Sequence, residues 1–499
     1  MVNMSRRRFI RTATTLAGTA LILAGFGDLV AMSQQNAQSS TLTSSRSGSS
    51  TPQPTFSKDY ADFLNWLGSV SKQVSGRKLN ISLVAEFKPL ALQRLDPDFV
   101  GATNLVNQYN LQPYAIQLSA IQLATSTQSP AYDLFAVDNQ NAGSFNQHFV
   151  SPFELATKYP GLTYPGLDFT DFDPLLWDNV ATYPPAINGG SGGTSAANVP
   201  LLPFDTSIMV FFYRKDIYDK LGLSPPTTWD EYFEDVKMLS SSNLIGYGGV
   251  SEAAANVSIV YEFLNHLEGY GARLWAVDGN TVAPVMDTAD AVAALENFVR
   301  FMPYSDPGSA SFTWTEVFAS LARGGAACGL LWNDYAAWLN DPVRSLQAGN
   351  FAFKDNPAGP KGSFSTFGGA GIGVSKYSRN PDAAWLWMQW ATAKGVEEAL
   401  LLDTYHIFPS RRSALGVSEV QSAMQQGSSY ASARLANEIY SSGRVRTLMG
   451  FPNWFKALDI LDTHLNSAWR GIESPRVALT AARQGIEQLG ALTFQGVGA

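Results

Sequence analysis

Residues 199–239 read VPLLPFDTSIMVFFYRKDIYDKLGLSPPTTWDEYFEDVKML, and this stretch decides the fold. Residues 208–213 are a short apolar run of strand length and read as a buried strand. Residues 215–221 follow as a short helix with Gly222 as its stop. Pro225 and Pro226 rigidify a turn, and Thr228 is placed to cap a helix whose first turn carries Asp230 and Glu231. Trp229, Tyr232, Phe233, Val236 and Leu239 share one helical face. By pattern alone this is a strand–helix–helix unit.

Towards the N-terminus, Phe63, Trp66, Leu67 and Val70 recur at helical spacing within residues 60–74. Residues 78–85 alternate and read as a first strand, ending at Glu86 and Phe87. A helix is expected over 99–108, with second and third strands over 114–118 and 133–137. This β-α-β order predicts an α/β sheet with crossover helices. Ligands of open α/β sheets collect beyond the carboxyl ends of the strands, which makes Glu86, Phe87, Asp138 and Asn139 binding candidates. Towards the C-terminus, helices are expected over 257–267 and 287–302, and the last third is mainly helical. Trp66, Trp229, Trp385 and Trp390 sit on helical faces and are assigned to packing. Trp332 differs: it ends the apolar strand GLLW and is followed by Asn333 and Asp334, so it is placed to stack on a ligand while Asp334 takes hydrogen bonds.

Composition narrows the function classes. The 499 residues suffice for two or three domains, with 45% hydrophobic and only 15% charged residues. A net charge of −8, without an interleaved basic–aromatic stripe, argues against a nucleic-acid surface. Cys328 is the single cysteine, so neither an intramolecular disulfide nor a thiolate metal cage can form. His148, His266, His406 and His464 are too far apart in sequence for a local metal motif. No cofactor or metal is expected.

Residues 5–11, SRRRFIR, precede the mostly apolar stretch 12–26. Residues 1–32 thus read as an export signal similar to the twin-arginine type, a receptor-read address. The small-x-small positions fit cleavage poorly, which leaves a signal anchor, and so a membrane tether, open. Residues 33–55 are Ser/Thr-rich without hydrophobic period and read as a disordered spacer. NGGSGGTSAAN, residues 188–198, reads as a flexible loop that borders a cleft.

The run PFDTSIMVFFYRKDIYDKLGLSPPTTWDEY (203–232) resembles the signature segment of extracellular solute-binding proteins that serve ABC-type sugar importers, the maltose-binding-protein-like group. Further stretches agree in order: Tyr132-Asp133-Leu134 with Pro130 nearby, GYGARLWAVDGN (269–280), residues 308–338, NPAGPKG (356–362), residues 367–392 and IFPSRRSAL (407–415). Two departures stand out. Cys328 takes a usual methionine place, and Ala370 stands where an aromatic is common. The resemblance covers residues 78–415 and implies an α/β, two-lobed periplasmic-binding-protein-like fold with a multi-crossing hinge. The crossings would lie near 203–209, 350–356 and 392–397. Lobe one would hold 56–205 plus 356–394, and lobe two 206–355 plus 395–499. It further implies a monomeric, non-catalytic, extracytoplasmic protein that closes on a sugar, oligosaccharide or polyol and docks on a membrane permease. Asp205 at the crossing, Trp275 in the glycine-rich turn, Gly369 in the returning segment and Arg411 in the IFPSRRSAL turn join the binding candidates.

Two other classes compete. An exported carbohydrate-active enzyme of glycosidase type would need two carboxylates flanking the scissile bond, a pair that sequence alone leaves open. However, no nucleophile elbow, zinc-protease helix or phosphate loop occurs. An adhesion or surface-layer module would show repeated units, and this chain has none.

Overall fold

Local chemistry carries through to the backbone in the stretch that opened the reading. In the computed structural model, which describes residues 57–185, 198–426 and 430–494, Met209–Arg214 is a strand and Lys215–Leu221 a helix. That helix stops where Gly222 turns left-handed, with φ 68°. Trp229–Ser241 follows as a helix closed by a reciprocal capping box between Thr228 and Glu231. Trp229, Tyr232, Val236 and Leu239 are buried along its inner face.

Two sheets organise the rest. In the first, Val106–Gln112, Lys78–Val84, Leu134–Asp138, Ala370–Ser375 and Phe149–Val150 lie side by side, and Leu202–Pro203 also pairs with Ala370–Ser375. The first three strands are parallel; Ala370–Ser375 runs antiparallel to Leu134–Asp138. The second sheet orders Phe351–Lys354, Met209–Arg214, Ala326–Trp332 and Tyr247–Val250, with Met209–Arg214 antiparallel to both neighbours. The chain passes from first to second sheet through residues 204–208 and returns past Ser365–Thr366, where Ile208 bridges Phe367. Asn356 clamps this return: its side-chain amide donates to the Met209 and Phe364 carbonyls and to Asn265 Oδ1, each at 3.0 Å.

Two local expectations fail. The helix expected over 99–108 is Phe87–Thr103, stopped by Asn104 in the left-handed region at φ 55°, and Val106–Gln112 is a strand. VNQYNLQ lacks an apolar run because it is an edge strand, paired on one side only, with Lys78–Val84. The strand expected over 114–118 is the start of the helix Tyr114–Ser126. A five-residue apolar run does not distinguish the two, and the chain had already spent its second strand. Residues 133–137 and 257–267 do become a strand, Leu134–Asp138, and a helix, Val257–Gly269.

The helix Lys394–Leu402 packs on the first-sheet side. Gly395 lies so close to Tyr60 that a Cβ would sit 2.3 Å from the Tyr60 nitrogen, and Glu397 pairs with Lys88. The helices Trp454–Trp469 and Pro475–Glu487 pack on each other and on Val257–Gly269 and Ala289–Val299. Trp229, Trp385, Trp390 and Trp454 are fully buried core rings. Among the described residues no helix is long and apolar enough to cross a membrane. The expected export signal, the spacer and all but the last residue of the 188–198 loop lie outside the described residues.

Candidate functional site

Three strands deliver their carboxyl ends to one place. Lys78–Val84 leads to Glu86 and Phe87, Leu134–Asp138 ends on Asp138, and Ala326–Trp332 of the second sheet ends on Trp332. The crossing segment adds Phe204, Asp205 and Ser207, and the return adds Gly368 and Ala370. Helical residues Tyr114, Tyr261, Trp314 and Tyr335 complete the walls. The pocket so formed holds about 650 Å3 of space between atoms, counting the part continuous with solvent. Both sheets contribute, as a two-lobed binding site requires.

Its walls are aromatic and its polar groups mostly acidic. Phe87 meets Tyr335 edge-on at 4.8 Å, Tyr114 meets Trp314 at 5.5 Å, and Tyr261 meets Trp332 at 5.1 Å. The first two pairs join residues that follow first-sheet strands to helices beside the second sheet. Gly368 makes the placement of Trp332 possible, because a Cβ there would stand 2.4 Å from indole ring atoms.

Asp138 Oδ2 accepts from the Tyr261 hydroxyl at 3.1 Å and from Gln140 at 3.0 Å. Burial pushes its carboxyl up to about 7, against these hydrogen bonds. Loss of hydration, then the charges of Asp205, Asp138 and Asp334, holds Glu86 well above the usual carboxylate range, while a hydrogen bond from Trp314 opposes this. Asp205 Oδ1 accepts from the backbone of Thr206 at 2.6 Å and of Ser207 at 3.2 Å, an Asx-type turn that shapes the crossing. Ser207 Oγ lies 2.9 Å from Asp205 Oδ1 and 2.5 Å from Asp334 Oδ2. One hydroxyl hydrogen cannot serve both carboxylates at once, so Ser207 is shared between them. Burial and the Asp205 charge raise the Asp334 carboxyl, against the Ser207 hydrogen bond and the Lys88 charge.

Of the residues proposed from sequence, Glu86, Phe87, Asp138, Asp205 and Trp332 line this pocket, and Asp334 stands behind Ser207. Four lie outside the lining. Asn139 is buried and donates to the Leu448 carbonyl at 2.5 Å. Trp275 packs edge-on against Phe451 and Trp454. Gly369 presses its backbone on the Asp205 carbonyl, where a Cβ would approach to 2.2 Å. Arg411 is buried over the Phe172 ring at 4.0 Å and donates to the Thr392 and Asp168 carbonyls, away from the pocket.

Sequence reasoning missed Tyr114, Tyr261, Trp314, Tyr335 and Ser207. Tyr114 opens a run that reads as a strand, and Tyr261 sits in a helical pattern that reads as packing. Trp314 carried a usable signal, since it opens a helix behind Thr313, in a capping box with Glu316. The ring missing at Ala370 is offset by these other aromatics. Among the described residues no group of His, Cys, Asp or Glu is arranged to hold a metal ion.

With this geometry in place, comparison with known proteins is specific. A probable amino-acid ABC transporter periplasmic-binding protein of Sinorhizobium fredii is 24% identical over 334 residues, covering 66% of this chain and 72% of its own. An erythritol/L-threitol-binding protein of Mycolicibacterium smegmatis is 27% identical over 213 residues, 41% of this chain and 43% of its own. The crystal structure of an ABC transporter solute-binding protein from Agrobacterium radiobacter K84 in complex with ribitol superposes with a TM-score of 0.70 at 21% identity, covering 83% of this chain and 99% of that one. The family model for bacterial extracellular solute-binding proteins matches residues 99–398, and the chain belongs to that family.

Proposed function

We propose that this protein is the substrate-binding component of an ABC importer, and that it captures a sugar or short polyol between its lobes and delivers it to a membrane permease. One observation carries this reading: the carboxyl ends of strands from two separate sheets converge on a single pocket walled by aromatic faces and carboxylates. Flat rings suit sugar C–H surfaces and carboxylates suit hydroxyls. Two of the similar proteins are named for, or complexed with, polyols. The amino acid named for a third would bring a carboxylate among Glu86, Asp138 and Asp205, where no described lining residue offers a cation. A polyhydroxy ligand fits better than that.

The protein acts by hinge closure rather than catalysis. Lobe one comprises 56–205 plus 356–394 and lobe two 206–355 plus 395–499, with Lys394–Leu402 lying against lobe one. Ligand holds the lobes together because it touches both, and only such differential affinity shifts the equilibrium. The chain is exported by its twin-arginine-like start, is either free or tethered after export, and works as a monomer.

A thermal-shift screen with erythritol, ribitol, mannitol and maltose tests the ligand class, since a ligand at a hundred times its Kd stabilises by about 2.7 kcal/mol. Small-angle scattering with the best binder should then show a smaller radius of gyration. An unshifted melting temperature with all four, or an unchanged scattering curve at saturation, overturns ligand class and closure respectively.

A further inference from the structure

The pocket is unbalanced in both charge and hydrogen-bonding capacity. Glu86, Asp138 and Asp205 face it, Asp334 stands one hydroxyl behind, and no Lys, Arg or His appears among the described lining residues. Lys88 relieves the imbalance only at Asp334, whose carboxyl its charge lowers. Its ammonium is buried and committed to Glu397 Oε1 at 3.0 Å and to the Phe204 carbonyl. The lining donors are few and mostly spent: the Tyr261 hydroxyl on Asp138, Ser207 Oγ between Asp205 and Asp334, the Trp314 side chain on Glu86. Asp205 Oδ1 takes three hydrogen bonds, but among the described residues Oδ2 takes none. Asp138 is only 9% exposed and already takes hydrogen bonds from the Tyr114, Tyr261 and Gln140 side chains.

A neutral polyol answers this surface less fully than an amine does. Each hydroxyl brings one donor and two acceptor lone pairs, so it adds acceptors to a site already rich in them. A protonated amine brings three donors and no acceptor, and its charge draws a facing carboxyl, raised in the ligand-free pocket, back to the ionised form that it then neutralises. The aromatic walls favour it as well. Phe87, Tyr114, Tyr261, Trp314, Trp332 and Tyr335 present ring faces or edges around the same space, and ring faces attract cations by about 0.5–2 kcal/mol.

We infer that the preferred ligand carries a protonated amine beside its hydroxyls and lacks a carboxylate: an amino sugar, an aminocyclitol or an amino polyol. This rests on the proposed capture of a sugar or polyol in the same pocket. The amine sits against Glu86, Asp138 and Asp205, and the hydroxylated remainder lies along Trp332.

Matched pairs separate the charge from the skeleton. Calorimetric titration at neutral pH compares glucamine with glucitol, and glucosamine with glucose and N-acetylglucosamine. The amine should bind at least about tenfold more tightly than its neutral partner, which corresponds to about 1.4 kcal/mol. Acetylation, which removes the charge, should abolish the gain. In the Glu86→Gln protein, which keeps the side chain's shape, the advantage of the amine should shrink by a further measurable factor while the protein melts as before or higher. Glucitol or glucose binding as tightly as its amine overturns the inference and leaves sugar or polyol capture standing. No binding of any probe, charged or neutral, overturns both.

Discussion

Two clusters of buried charge meet at Phe204 and follow opposite rules. On one side, Lys88 pairs with Glu397 at 3.0 Å with side chains 0% and 1% exposed, while Glu397 also accepts from Ser410 Oγ at 2.6 Å and from the Arg411 backbone at 2.9 Å. Arg411 spends its guanidinium on the Thr392 and Asp168 carbonyls, on Asp171 at 3.5 Å and on the Phe172 ring. Every charge there has a partner. On the other side, Glu86, Asp138 and Asp205 face one another across a pocket without a lining cation among the described residues. Paired charge fixes the helix Lys394–Leu402 against Phe87–Thr103; charge without a cation partner lines an open pocket. Buried charge alone is therefore no sign of a site, and the state of its pairing is.

The comparison is broken most directly at Glu397. Glu397→Leu strands the Lys88 ammonium in the core, and loss of one partner of a buried pair costs about 3–5 kcal/mol. Urea unfolding should show that loss; a change under about 1 kcal/mol would mean that the paired cluster holds little together.

Trp332→Ala works on the other side. Affinity for the best ligand should fall by roughly 2 kcal/mol or more, the scale of an aromatic hot spot. Because the ring also lies on Gly368 and against Tyr261, stability falls too. A large stability loss with unchanged affinity would make Trp332 a core residue alone.

The acidic pocket should also leave a pH signature in the ligand-free protein. Asp138 is raised to about 7 in the folded state, so between about pH 4 and 7 the folded protein binds more protons than the unfolded one. Stability therefore declines as pH rises through that window and levels off above it, by of order 1 kcal/mol or more for this carboxyl. Glu86 and Asp334 act in the same direction. Asp138→Asn should flatten the slope of melting temperature against pH; an unaltered slope would show that Asp138 titrates normally.

The smallest effect sharpens the contrast. Arg77 holds Asp382 through two bonds at 2.8 and 2.9 Å, but the pair is part-exposed. Arg77→Ala should cost no more than about 1 kcal/mol, since water already screens such pairs. Chemical denaturation resolves that from the Glu397 variant.

The sequence determined much of what short-range chemistry controls, though not the helix Tyr114–Ser126, whose opening reads as a strand. A buried strand, a glycine stop, a capped helix and an apolar face each depend on neighbours within a few residues, so 208–241 was legible as written. Strand ends carry position as well: Glu86, Phe87, Asp138 and Trp332, read from them, line the pocket, while Asn139, read by the same rule, is spent on the Leu448 carbonyl. Edge strand Val106–Gln112 was not legible, because its pairing with Lys78–Val84, not its own pattern, makes it a strand. Nor was the fate of the charges. Arg411 and Glu86 look alike as polar residues after a turn or a strand, yet one is spent on carbonyls and a ring while the other is left facing a cavity. Partners for a buried charge come from segments hundreds of residues away, as Lys88 and Glu397 show, so only the tertiary structure decides which charge is paired and which one is left facing a pocket.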